Sequence, residues 1–407
     1  MVVKQNQIAK GIASITLLVM LFSAGAYSAV YTFPVMRTKF SEYDFSVLRE
    51  NPVAMLDFAE NELHVAIPYR MDLRDIYATL AVLQGKREIR NFFVLKDEMG
   101  YLQRGSYYQE PNPDVMVYAK RMRRLRDAVE ENGGRVVFVG APGKSPGVGT
   151  AADSGYPFDE TSMLDMDKLL TSLYANQVST IDLRTGLAQA GLPYNELYYR
   201  TESTWTVRAA FEAVRIIARD LEAQFGIVMD PDAIYCDPKN YQVITYPEAM
   251  MGEFGRTAGI PFGGIDDFHV LLPTFPTHFS RAVSHEDGNS IEGDFETALL
   301  EYEYLLLDDR YNNPSAVYFG NNVQQHIVNH DLPNAMTALI IGDANFVPVA
   351  AYLATMCSEV TLYTPLASGF RSSGISIDRS IEENDYDLVL VACQASNIRS
   401  DMFRFYR

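Results

Sequence analysis

The sequence predicts an α/β protein in which a mostly parallel β-sheet carries helices on both faces. Short, almost wholly apolar runs recur along the chain, and segments with the apolar spacing of helices alternate with them. Strands that are apolar throughout are typical of parallel sheets, because such sheets are buried on both sides. The predicted strands are residues 135–140, 178–183, 337–342, 358–364 and 385–393.

Helices are predicted between these strands. In residues 114–134, apolar residues recur at helical spacing, and Gly133 and Gly134 supply a stop. Further helices are predicted over residues 163–175 and 346–357.

The segment YYRTESTWTVRAAFEA, residues 198–213, leads into another helix. Thr206 is placed to cap this helix, and the apolar residues after it fall on one helix face. The only tryptophan, Trp205, and the carboxylate of Glu202 lie just before the cap. Crowding of such residues at the mouth of a helix makes this loop a candidate functional site.

Residues 230–333 interrupt the alternation of strands and helices. They are rich in Pro, Gly, Asp and Tyr, and we interpret them as an insertion of loops and short strands. The paired acids Asp266–Asp267 and Asp308–Asp309 lack the spacing of a calcium-binding loop. We expect them to solvate the loops in which they lie.

The first 33 residues are predicted to be a membrane anchor or a signal peptide. Lys4 and Lys10 precede an uncharged apolar run, residues 11–33, that is long enough to cross a bilayer as a helix. The positive flank predicts that the body of the protein lies outside the cytoplasm. Cleavage at AGA, residues 24–26, is the alternative; an uncleaved transmembrane helix is favoured because the apolar run continues past that site.

The rest of the chain is predicted to form one main domain. Residues 34–110 are a Tyr-rich lead-in without strong periodicity, which we expect to pack on that domain. Residues 111–407 are predicted to be the α/β domain, with the insertion at residues 230–333.

Composition excludes several classes of function. A net charge of −18 repels phosphate backbones, so nucleic acid is not an expected partner. The three cysteines are far apart, and neither zinc nor any other cofactor is predicted. His326 and His330 could share a helical face, but no third ligand is evident. We interpret them as surface histidines on a short helix and predict no metal site.

Ligands of open α/β sheets bind beyond the carboxyl ends of the strands. Three loops follow or face those ends, and we expect them to share one rim: residues 141–147, 198–206 and 342–346.

Three motifs in these loops carry a resemblance to a known family. They are VVFVGAPGK (136–144), LYYRTESTWT (197–206) and LIIGDANF (339–346). Over residues 90–407 the chain resembles the SGNH hydrolase-like family of alginate O-acetylation proteins, which is AlgX/AlgJ-like and related to DHHW proteins. The resemblance implies a flavodoxin-like sheet and a rim that includes six frame residues: Lys144, Tyr199, Trp205, Gly342, Asp343 and Asn345.

The family's chemistry uses a Ser-His-Asp triad, in which Ser attacks an acyl donor, His takes its proton and Asp orients the His. The resemblance places the nucleophile at Ala344, the base at Thr204 and the orienting carboxylate at Glu202. A methyl group cannot attack an acyl group, and a Thr hydroxyl is no base near neutral pH. All three positions are therefore substituted, which predicts a catalytically degenerate member.

The resemblance implies a role in modifying polysaccharide in the cell envelope, with a membrane-bound O-acyltransferase as partner. Two alternatives stay open. One is an active O-acetyltransferase or acetylesterase with a rearranged nucleophile, Ser203 or Ser145, paired with Lys144. The other is a structural or interaction protein of the envelope.

Overall fold

The structure, a computed structural model, describes residues 2–42, 66–105, 110–144, 161–282, 290–305, 314–320, 322–367 and 369–406. The chain divides into two compact units, Met1–Tyr77 and Ala78–Arg407. The first unit contains a helix, Val2–Glu42, that includes the predicted apolar run. Among the described residues, no helix is both long and apolar enough to cross a bilayer. The predicted transmembrane helix is therefore not supported.

The strands are, in chain order, β1 (Glu88–Ile89), β2 (Val94–Lys96), β3 (Leu102–Arg104), β4 (Arg135–Ala141), β5 (Ser179–Asp182), β6 (Tyr241–Met250), β7 (Asp266–Pro273), β8 (Phe279–Ala282), β9 (Ile291–Gly293), β10 (Gln324–Asn329), β11 (Thr337–Gly342), β12 (Glu359–Tyr363) and β13 (Leu388–Gln394). The helices are α1 (Val2–Glu42), α2 (Arg70–Leu83), α3 (Val115–Glu131), α4 (Thr161–Ala175), α5 (Leu183–Ala190), α6 (Tyr194–Leu197), α7 (Val207–Phe225), α8 (Glu253–Ala258), α9 (Ile260–Gly263), α10 (Phe295–Leu299), α11 (Phe346–Leu353) and α12 (Ile377–Glu383).

The main sheet of the described chain has eight strands in the order β5-β4-β13-β11-β12-β10-β8-β9. The first five of these strands are parallel to one another. They coincide with the five strands that the apolar runs predicted, because a strand buried on both faces leaves a continuous apolar signal.

The remaining three strands correct the prediction of a mostly parallel sheet. β10, β8 and β9 pair antiparallel, so the sheet is mixed. They come from residues 230–333, the predicted insertion of loops and short strands, and they extend the main sheet. β10 alternates half-buried and buried positions, and such alternation gives a weaker signal in the sequence than a continuous apolar run. The same segment also forms the hairpin-like pair β6–β7.

The sheet is covered on both faces, as predicted. One core contains alternate strand residues such as Val137, Ile340 and Leu390 together with the apolar faces of α7 and α11. The opposite core contains Val136 and Leu339 with α3, α4 and α12. Two layers of helices therefore hold the carboxyl ends of the parallel strands in fixed positions.

Residues 78–105 supply part of the wall beside those strand ends. They form the end of α2 and the three-stranded sheet β1-β2-β3. A small core joins Ala78, Ile89 and Leu102 to Phe254 and Phe262 of α8 and α9. The backbone N–H of Leu102 also donates to the carbonyl of Arg200, so this sheet is tied to the loop that precedes α7.

Candidate functional site

The loop before α7 is closed at its base. Tyr198 and Trp205 form an isolated antiparallel bridge, and the N–H of Thr206 donates to the carbonyl of Leu197. Thr206 then begins α7, with its Oγ1 accepting from the N–H of Ala209 at 3.2 Å, as the sequence predicted. Residues 199–204 are therefore held as a compact loop just before the N-terminus of α7.

Asp266 fixes one side of this loop. Its carboxylate accepts hydrogen bonds from the N–H groups of Arg200 and Thr201 at 2.8 and 2.7 Å, and from the Thr201 hydroxyl at 2.7 Å. The neighbouring Asp267 accepts from the N–H of Glu248. The sequence interpretation of this pair as solvating acids was wrong, because both bind backbone groups. The pair Asp308–Asp309 lies outside the described residues.

Lys144 fixes the other side of the loop. Its Nζ donates to the carbonyls of Tyr199, Arg200 and Glu202 at 2.7, 3.0 and 2.8 Å. These three bonds use all three N–H donors of an ammonium group. Burial lowers the pKa of Lys144 to about 7, against the opposing effect of the nearby carboxylates of Asp266 and Glu202. Lys144 thus binds the backbone of the loop.

Glu202 is buried and also serves the loop's structure. One carboxylate oxygen accepts from the N–H and hydroxyl of Ser203 at 2.7 and 3.0 Å. The other accepts at 2.7 Å from the N–H of Glu253, the first residue of α8. A carboxylate is stabilised at this end of a helix by free N–H groups. Gly252 allows this approach, since a Cβ there would lie 2.3 Å from Cβ of Glu202.

The turn after β11 faces this loop and has its own buried carboxylate. Asp343 accepts hydrogen bonds from the N–H and side-chain amide of Asn345, the N–H of Gln394 and the side-chain amide of Asn397. Burial raises the pKa of Asp343, and these hydrogen bonds oppose the rise. All the polar capacity of Asp343 is used to shape the turn.

The turn presents a single side chain outward. Asp343, Asn345 and the strand residues before them are buried, whereas Ala344 between them is exposed. Trp205 ties the turn to the facing loop: its backbone N–H donates to Oδ1 of Asn345 at 3.0 Å, and its Nε1 donates to the Asn345 carbonyl at 2.7 Å. Ala344 of this turn and Thr204 of the facing loop line the same cavity.

A cavity of about 560 Å³ lies between these loops. Five predicted site residues line it: Lys144, Glu202, Thr204, Asp343 and Ala344. The other four predicted residues do not line the cavity: Tyr199, Trp205, Gly342 and Asn345. Tyr199 and Trp205 are buried and pack on Phe268 and Phe346, Asn345 holds Trp205, and β11 ends at Gly342.

Several residues of the cavity carried no signal in the sequence. Gln394 ends the last strand, Ser396 and Asn397 follow it, and Glu253 begins α8. Three arginines, Arg104, Arg256 and Arg399, also line the cavity. They come from distant parts of the chain, and only the fold brings them together.

The charges at the cavity are mixed, with an excess of positive groups. Burial, and then the charge of Glu202, raises the pKa of Glu253, while the three arginines lower it. All three guanidinium groups therefore lie near this one carboxylate. In a chain with a net charge of −18, this grouping of three arginines suits an anionic ligand.

Among the described residues that line the cavity, none is a histidine or a cysteine. The nucleophile position carries a methyl, and the base position carries the hydroxyl of Thr204. At the positions that the resemblance assigns to the triad, the expectation of neither a nucleophile nor a base therefore stands as a prediction.

The two histidines considered from the sequence are not on a helix. His326 lies within β10, and His330 follows its end. His326 faces Thr361 and Glu359 of β12, whereas His330 contacts Ser280 and the ring of His278. The prediction of a shared helical face was wrong because β10 has the alternating pattern of a strand.

The fold is that of an SGNH hydrolase-like α/β protein. Residues 101–260 match the family described as "SGNH hydrolase-like domain, acetyltransferase AlgX". No curated protein shows significant similarity over the sequence. The match over residues 101–260 agrees with the resemblance to AlgX/AlgJ-like proteins that the sequence motifs predicted.

Solved structures agree with this fold. Bacillus cereus PatB1 with a sulfonyl adduct is 15% identical, with a TM-score of 0.58 over 77% of this chain and 97% of that chain. A DHHW family protein from Eubacterium siraeum is 15% identical, with a TM-score of 0.51 over 76% of this chain and 92% of that chain. At these identities the likeness concerns the fold.

Proposed function

We propose that this chain is a catalytically degenerate SGNH-like protein that binds a glycan in the cavity between its loops. The observation that carries the proposal is Ala344. Hydrogen bonds to the buried Asp343 fix the turn after β11, and Ala344 is the one exposed side chain of that turn. Its methyl group has no reactive atom. The match to the family of acetyltransferase AlgX supports a role for this binding in polysaccharide O-acetylation.

The rearranged-nucleophile alternative finds little support in the geometry. Ser203 donates to Glu202, whose carboxylate also holds the start of α8. Lys144 has its three donors on loop carbonyls and is not placed as a base for Ser203. Ser145 lies outside the described residues.

The three arginines support an acidic glycan as the ligand. Guanidinium groups bind carboxylates through charge-assisted hydrogen bonds.

A membrane-bound O-acyltransferase is the proposed partner. Export of the protein is proposed from Lys4, Lys10 and the apolar run at residues 11–33. Digestion of the body by protease added to intact spheroplasts tests the location; protection would contradict it.

The chemical test uses the purified full chain. It should neither hydrolyse acetyl esters measurably nor react with a fluorophosphonate, because residue 344 carries no hydroxyl and the Glu202 carboxylate beside Ser203 is already held by the N–H groups of Ser203 and Glu253. Ala344→Ser combined with Thr204→His and Glu202→Asp should restore some labelling. Labelling of the unmodified chain that Ser203→Ala or Ser145→Ala abolishes would replace this proposal with the rearranged nucleophile.

The binding test compares hexuronic-acid oligosaccharides with neutral hexose oligosaccharides of the same length by calorimetry. The acidic ligand should bind more tightly, and its affinity should fall with added salt. Arg399→Gln should weaken binding by about tenfold, the value of one lost charge-assisted bond. Arg219→Gln, a change on α7 outside the lining of the cavity, is the control. Equal binding of both ligands would reject the acidic specificity.

A further inference from the structure

A cluster of metal-ligating side chains lies at the antiparallel edge of the main sheet. His278, Glu292 and His330 are all exposed, and their ligand atoms lie within 4.8 Å of one another. Nε2 of His278 is 2.8 Å from Oε1 of Glu292, and the rings of His278 and His330 are 4.7 Å apart. None of the three lines the cavity described above.

The strand register explains why these side chains meet. Ser280 of β8 lies opposite Glu292 of β9, so both point to one face of the sheet. Phe279 of β8 lies opposite Asn329 of β10, and both are buried on the other face.

His278 and His330 continue these two strands by one residue each, at the end where they adjoin. Successive side chains alternate between faces, so both histidines share the exposed face with Ser280 and Glu292. The N–H of His330 donates to the carbonyl of His278 at 2.9 Å, which makes them direct neighbours across the two strands.

We propose that His278, Glu292 and His330 form a binding site for a divalent transition-metal ion, with zinc as the ion to test. Two imidazole nitrogens and one carboxylate oxygen are a donor set that binds zinc with a remaining position open to water. Imidazole favours zinc, copper and nickel over calcium and magnesium. The hydroxyl of Ser280 lies 3.0 Å from Nε2 of His330. Ser280 is on the same face of the sheet as the three ligands, so this contact orients the His330 ring.

The site would cross-link three strands at the end of the sheet. β9 is the edge strand and pairs only with β8 among the described residues. A metal ion held by β9, β8 and the end of β10 therefore binds the folded sheet and not the unfolded chain. Such a ligand raises the apparent stability by mass action.

The test is calorimetric titration of the full chain, stripped with a chelator, with zinc alone. We expect one saturable site and a rise in the melting temperature at saturating zinc. His278→Ala, His330→Ala and Glu292→Gln should each weaken binding by at least about tenfold, since each removes one of three ligands.

His269→Ala is the matched control, because this half-buried histidine contacts Thr245 on the β6–β7 pair and lies outside the cluster. It should keep wild-type affinity. Circular dichroism of each variant checks that these exposed substitutions leave the fold intact. No saturable binding, or wild-type affinity in the His278→Ala/His330→Ala double variant, would overturn the site. Wild-type affinity in Glu292→Gln would overturn the three-ligand assignment.

Discussion

The indole Nε1 of Trp205 donates a hydrogen bond of 2.7 Å to the backbone carbonyl of Asn345, and this bond joins the two loops that face the cavity. The Asn345 side chain returns a second contact by accepting from the N–H of Trp205. Both residues are buried. Trp205, the single tryptophan of the chain, lies just before the first residue of α7. Its two hydrogen bonds hold the turn that contains Ala344 beside the loop that contains Thr204.

Trp205→Phe keeps an aromatic ring against Phe346 but removes the Nε1 donor. We expect it to lower the free energy of unfolding by about 1–3 kcal/mol, the cost of a buried acceptor that loses its partner. Asn345→Ala should be destabilising as well. Urea denaturation of both variants checks these losses, since each substitution removes a different one of the two hydrogen bonds. Wild-type stability in Trp205→Phe would show that the Nε1 bond does not hold the two loops together.

The sequence predicted the parallel half of the fold and the meeting of the loops. Continuous apolar runs identify strands buried on both faces, and the carboxyl ends of parallel strands must share one edge of the sheet. The alternating pattern of β10 and the three residues of β9 lack such a signal. These strands join the sheet through register and tertiary packing, which a single sequence does not display.

The composition of the candidate site was predicted only in part. Motifs identified Lys144, Glu202, Thr204, Asp343 and Ala344, all of which line the cavity. They did not distinguish lining residues from buried ones such as Trp205. The arginines of the cavity could not be found from the sequence, because their proximity depends on how β3, α8 and the segment after β13 fold together.

Gly252 should tolerate no side chain, because a Cβ there would lie 2.3 Å from Cβ of Glu202 and 2.6 Å from the carbonyl oxygen of Thr201. We expect Gly252→Ala to destabilise the protein by about 1–3 kcal/mol or more through this clash. Gly143→Ala, in the wall of the same cavity, is the matched control. Its nearest contact would be Cβ of Ala395 at 3.9 Å, so its effect should be within about 1 kcal/mol. Equal thermal stability of the two variants would contradict this account.

Thr206→Ala should destabilise α7 at its first turn. The Thr206 hydroxyl accepts from the N–H of Ala209 and donates to the carbonyl of Glu196, so its removal leaves both groups without this partner. We expect a loss of about 0.5–2 kcal/mol in the free energy of unfolding. Thr206→Ser keeps the hydroxyl and should recover most of that loss. If both variants lose the same amount, the Thr206 methyl rather than its hydroxyl supports the helix.

The pKa of Lys144 predicts a pH dependence of stability. Burial lowers this pKa from 10.5 to about 7 in the folded protein. Between these two pH values the unfolded chain binds more protons than the folded chain, so the free energy of unfolding rises with pH. Below about pH 7 both states are charged, and the full cost of burying the ammonium applies.

Lys144→Met removes the titrating group and should therefore remove this rise from urea denaturation curves measured between about pH 7 and pH 10. The variant also loses three hydrogen bonds to the loop of Glu202, so its curve should lie lower as well as flatter. Lys168→Met is the control, because Lys168 is an exposed residue of α4 beside Asp165. Its profile should keep the wild-type slope. Parallel profiles for wild type and Lys144→Met would show that the ammonium keeps its ordinary pKa and that the enclosure by loop carbonyls outweighs the loss of water.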